Sequence, residues 1–190
     1  AIPLAVVVRA PQGSRIDVHS GSADVTITGS AARVDVHSGS GDITVDRCDG
    51  SAKVQTGAGA VRLGPMFGGV NVRSGSGDIE VSSVGGATAL NTGSGDVWLG
   101  AVAGDVMVRT GSGDLTVADA ASGDIELFTG SGEIRVGVRA GSGAEVDLRS
   151  GSGQARSELD LADTPPEDTP ALRVRGKTGS GNALVTTATT

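Results

Sequence analysis

One stretch, Ser74-Gly75-Ser76-Gly77-Asp78-Ile79-Glu80-Val81, recurs along this chain with variations. Its first glycine stands at Gly21, Gly39, Gly57, Gly75, Gly93 and Gly111, a constant step of 18 residues. It returns with looser spacing at Gly130, Gly141, Gly151 and Gly179. Self-similarity at a short fixed period means a stack of like units. On either side of each glycine turn the residues alternate, as in Val34-Asp35-Val36-His37 and Asp42-Ile43-Thr44-Val45. Alternation of period 2 sets Val34, Val36, Ile43 and Val45 on one face of a strand and the polar residues on the other.

Stepping by 18 tests the stacking. Ile16 leads to Val34, Ala52, Val70, Thr88 and Val106; Val25 leads to Ile43, Val61, Ile79, Val97 and Leu115. Nearly all are large and apolar, so like lies over like in parallel, in-register coils. The outward rows read His19, His37, Gln55, Arg73, Asn91, Arg109 and Thr26, Thr44, Arg62, Glu80, Trp98, Thr116, varied and polar as solvated faces should be. Cys48, Met66, Val84 and Val102 form a third 18-residue row, each followed by a glycine two places on, which marks a second corner. The fold class is therefore all-β: a β-solenoid with an 18-residue coil and two short strands per coil. Glycine density and β-branched content exclude helix. Eight or nine coils at about 4.8 Å each give a rod on the order of 40 Å long.

The 190 residues read as one domain, 1–190, with regular coils over about 14–153. The register slips by one residue at Ala120-Ala121-Ser122-Gly123. An acidic, proline-containing loop follows over about 159–171. Closing strands over 172–187 are expected to cap the rod.

Charge and composition exclude several functions. A net charge of −7 disfavours nucleic acid and anionic membrane, which select basic surfaces. A single cysteine permits no internal disulfide, and no run of 18 apolar residues could insert into a bilayer. Ala1–Val8 is apolar but lacks a basic leader, so it does not read as a signal peptide.

The candidate chemistry is sparse. Asp42, Asp78, Asp96 and Asp114 follow the second glycine of successive turns and form an acidic ladder, continued by Glu133 and interrupted by Ala60. Stacked about 4.8 Å apart, such charges repel by roughly 0.9 kcal/mol in water, so the row needs compensation. Accepting hydrogen bonds from turn N–H groups supplies it. The other reading is calcium, as in the G-G-x-G-x-D-x-U-x roll, but there one residue separates glycine from aspartate. Here the aspartate follows directly. A phosphate cradle needs a glycine turn feeding a helix, and these turns feed strands. His19 and His37 should stack on the outer face without a third ligand to complete a metal set. Cys48 belongs to an apolar row and reads as core, not nucleophile. No catalytic residue and no cofactor is expected. The unusual outward residues are Trp98 and, on the opposite sheet, Met107 and Phe128; aromatic side chains are enriched at interfaces. These three are the candidate contact residues.

The repeated S-G-D-[IV]-x-[VL] units resemble the bacterial adhesin-labelled β-strand-repeat domain called toastrack. The opening Val8-Arg9-Ala10-Pro11-Gln12-Gly13-Ser14-Arg15-Ile16-Asp17-Val18 is similar to that family's first strand with its P-x-G turn. The stretches Gly137–Gly141, Leu159–Asp163 and Arg173–Asn182 resemble the C-terminal end of actinobacterial members, although the Gly-Ser-Gly turns here are more uniform. The resemblance implies a β-solenoid without enzymatic activity or catalytic residues, associated with envelope stress or with a cell-surface adhesin role. It also implies added N-terminal strands or membrane segments in many members. The expectation is a non-catalytic scaffold that meets a protein partner or itself, with a calcium-binding adhesin as the alternative. Location stays open, with bacterial cytoplasm ahead of the cell surface.

Overall fold

The structure, a computed structural model, describes residues 5–139, 143–159 and 172–188. The Gly141 turn and all of the acidic loop beyond Leu159 lie outside the described residues. The strands are β1 (Ala5–Ser20), β2 (Asp24–Ser40), β3 (Ile43–Cys48), β4 (Ala52–Ala58), β5 (Val61–Met66), β6 (Val70–Ser76), β7 (Ile79–Val84) and β8 (Thr88–Ser94). They continue as β9 (Val97–Ala103), β10 (Val106–Ser112), β11 (Leu115–Ser131), β12 (Ile134–Val138), β13 (Ala144–Ser152), β14 (Ala155–Ser157), β15 (Leu172–Ser180) and β16 (Ala183–Thr187).

Every pairing is parallel, and the chain winds as the 18-residue repeat predicts. A front stack runs through the second halves of β1 and β2, then β4, β6, β8, β10 and the second half of β11. A back stack runs through the first halves of β1 and β2, then β3, β5, β7, β9 and the first half of β11. β1, β2 and β11 are long because they continue round the second corner. The one-residue slip is present: Val106 aligns with Ile125 and Leu115 with Ile134. Its extra residue lies in β11, where the register shifts between Ala120 and Ser122.

The core is the set of inward rows. Val25, Ile43, Val61, Ile79, Val97 and Leu115 are all buried, as are the apparent exceptions Ala52 and Thr88. Thr88 is tolerated because its hydroxyl donates to the Gly86 carbonyl at 3.2 Å. Each fully buried Val or Ile contributes roughly 1.5–3 kcal/mol, and so thin a core gains them by repetition. One inward row is polar: Ser38, Thr56, Ser74, Thr92, Thr110, Thr129 and Thr178 are buried. Each hydroxyl donates to the carbonyl two residues on, as Thr92 does to Ser94 at 3.1 Å. The row spans the glycine corner with its hydrogen bonds satisfied, which a buried hydroxyl requires. At that corner Gly77 has φ +125° and a Cβ there would fall 2.2 Å from the Gly59 carbonyl oxygen. Only glycine fits.

The end of the rod departs from expectation. The closing strands do not cap it. β15 lies between β11 and β13, and β16 lies between β12 and β14. The last coil in sequence is thus threaded inside the rod, and the coil before it forms the end. Burial follows: Leu172, Val174, Ala183 and Val185 are buried, whereas Ala144, Val146 and Leu148 are half-buried and β14 is exposed. The physical reason is polarity at the inward positions. Ser157 aligns with Val185, so the more polar coil takes the end, where a stack needs its cap. Gly176 completes the fit: a Cβ there would lie 2.9 Å from Leu148 Cδ2, so the leucine fills the space that the missing side chain leaves.

Candidate interaction site

The flat outer face of the front stack carries ladders of aligned side chains, because parallel strands in register set equivalent residues side by side. Phe128 on β11 aligns with Arg109 on β10 and with Lys177 on β15. Met107 aligns with Glu126, and Glu126 in turn with Arg175. Met107 and Phe128 therefore line one groove of about 720 Å³ together with these charged neighbours. They are 40% and 43% exposed, large apolar side chains on an otherwise polar face. Arg175 is held near Glu126 at 3.5 Å, and Arg173 near Glu145 at 3.4 Å.

Trp98 is not part of this groove. It stands on the back stack between Glu80 and Thr116. Its ring lies beside buried Gly100, where a Cβ would come within 3.2 Å of the ring. Its exposure of 41% is thus what remains after it covers its own strand. The structure brings two of the three sequence candidates together and leaves the third on the opposite face. Another exposed aromatic ring, Phe67, is absent from the sequence reading. It packs under the Arg47 guanidinium, 4.7 Å from the ring centre, at the second corner. The signal was available: Phe67 directly follows inward Met66, so alternation turns it outward.

The acidic ladder is engaged in structure. Oδ1 of Asp42, Asp78, Asp96 and Asp114 accepts the backbone N–H of Ala60, Asp96, Asp114 and Glu133 respectively, at 2.8–2.9 Å. The donor is the equivalent residue of the next coil, not the aspartate's own turn. Each carboxylate therefore ties one coil to the next. Among the described residues no group of three or more His, Cys, Asp or Glu side chains could hold a metal ion.

His19 and His37 stack with ring centres 4.9 Å apart and 7° between planes. Each ring is anchored by the aspartate two residues before it, Asp17 at 3.0 Å and Asp35 at 2.9 Å. Cys48 is fully buried beside Ala31 and Met66 in the corner row. Burial pushes its thiol up from the ordinary range, with Asp49 adding to the shift, so it stays protonated and unreactive.

Parallel in-register coils, glycine corners and inward apolar ladders define a β-solenoid of the stacked-repeat class. Comparison with known families sharpens this: the family model for the Toastrack DUF4097 domain matches residues 6–190, and the chain belongs to that family. No curated protein and no solved structure matches it. No helix among the described residues is long and apolar enough to cross a membrane.

Proposed function

We propose that this domain is a non-catalytic scaffold that holds a protein partner against the front face of the rod. The observation that carries the reading is the pairing of Met107 and Phe128 in one groove. Exposed apolar side chains framed by charges are what a partner's core contacts require. The chemistry of the remaining candidates supports the non-catalytic part. Cys48 is buried and protonated, and the two histidines face outward with their own aspartates. A setting in envelope stress or at the bacterial cell surface rests on the family resemblance.

Site-specific photo-crosslinking in the producing cell tests the groove. A crosslinker at position 128 should yield one discrete adduct that Met107→Lys abolishes, while the same crosslinker at position 62 on the back face should yield none. Equal adducts at both positions, or an adduct indifferent to Met107→Lys, would remove the groove from the function.

A further inference from the structure

The two ends of the rod differ in a way that selects a partner. At the N-terminal end, β1 is irregular: its register against β2 shifts between Ala10 and Ser14 and again between Ser14 and Arg15. Pro11, which has no N–H, lies in that bulge. Bulges and prolines blunt a strand edge against pairing. Among the described residues of the C-terminal end, β13 carries neither device. β13 is a regular strand of nine residues that pairs only with β15 among the described residues, and its outer edge has no backbone partner among them. Behind that edge the inward row of Ala144, Val146 and Leu148 is half-buried, where the same row in β15 is closed. A regular strand edge backed by an unfinished apolar core is a template for another strand.

We propose that this end docks on the same end of a second copy, through an antiparallel β13–β13′ pair centred on Leu148. Two identical ends can meet only about a two-fold axis, which makes the strands antiparallel. Matching the inward faces and centring on Leu148 sets Asp147 opposite Arg149 of the second copy, twice. Sliding one step either way sets Asp147 against Asp147 or Arg149 against Arg149. The strand thus carries its own complement: Asp147 and Arg149 already pair at 3.1 Å within each copy and face outward beside the free edge. Head-to-tail stacking, in the register that the ladders define, would instead place Asp147 over Asp17. Like charges directly opposite destabilise a strand pair. The dimer closes, so it stops at two copies. Asp147 and Arg149 also line the β13 side of the front-face groove, so the two readings are separated by Met107→Lys, which lies on β10 and should abolish the groove adduct while leaving dimerisation unchanged.

Sedimentation velocity on the 190-residue chain should give a dimer, twice 18.6 kDa. Arg149→Asp turns both cross-strand pairs repulsive and should weaken dimerisation roughly tenfold or more. Combining Asp147→Arg with Arg149→Asp should restore it, and Asp17→Lys should leave it unchanged. Circular dichroism confirms that each variant is folded. A chain that stays monomeric at its highest attainable concentration overturns the proposal. So does a folded double variant that fails to recover, or an association that Asp17→Lys tightens.

Discussion

From β2 to β10 the chain climbs one coil at a time, and each coil is closed above and below by its sequence neighbours. Beyond β12 it does not. There the chain lays down an end coil, β13–β14, and then returns to insert β15–β16 beneath it. The regular coils are held by backbone stacked on backbone, so their tolerance is small. The end coils keep the same tight glycine corner, with a Cβ at Gly153 falling 2.1 Å from the Gly181 carbonyl oxygen. Inside them, however, side chains settle around one another, as Leu148 does over Gly176, and there the tolerance is larger. Repetition gives the first region its rigidity and leaves the second as the place where the fold can vary.

Two glycine substitutions, one at a backbone-packed corner and one inside the side-chain-packed end, give the strongest contrast. Gly77→Ala drives a Cβ into the Gly59 carbonyl at φ +125°. It should cost about 3 kcal/mol or more, or prevent folding, since neither contact nor dihedral can relax. Gly176→Ala comes too close only to the flexible end of Leu148, with Ile134 at ordinary contact distance, and should cost within about 1 kcal/mol. Equal losses in urea melts would break the comparison. Truncating core side chains gives a smaller contrast. Ile79→Ala in the closed stack should cost about 3–4 kcal/mol, and half-buried Leu148→Ala about 1 kcal/mol. Smallest is the carboxylate ladder. Asp96→Ala leaves the Asp114 N–H without its acceptor and should cost about 1 kcal/mol, because water replaces part of the bond. If the ladder serves only to join coils, millimolar calcium leaves the melting temperature of both proteins unchanged. A rise in the parent that Asp96→Ala removes would revive the calcium reading.

The 18-residue step made most of this legible. The inward rows, the slip near Ala121, the stacked histidines and the buried Cys48 all follow from fixed spacing and alternation, which are properties of neighbouring coils. The order of levels at the end was not legible in the same way. Every coil presents the same Gly-Ser-Gly corner and the same inward apolar pattern, so periodicity fixes alignment within a pair of coils but not which coils are paired. The signal that decides it is weaker: Ser157 where other coils have valine, leucine or isoleucine, and Gly176 where they have leucine or valine. That uncertainty carried into the site. Met107 and Phe128 were recognisable as outward residues. That Lys177 and Arg175 complete their groove depends on β15 lying against β11, which no spacing rule states.

The carboxylate ladder also has a direction. At the Gly-Ser-Gly corner each aspartate of the ladder accepts from the coil on its C-terminal side, as Asp96 does from Asp114. Asn182 keeps the same sense in space but reverses it in sequence, because its Oδ1 accepts the N–H of Gln154, which was synthesised earlier. The rod is like a wall in which each course is keyed to the one laid on it, except that the top course reaches the mason before its bed. The end coil can be keyed only once the final strands have slipped beneath it. Completion of the rod therefore waits for the last residues of the repeat, and a nascent chain lacking them ends in a coil with nothing to stand on.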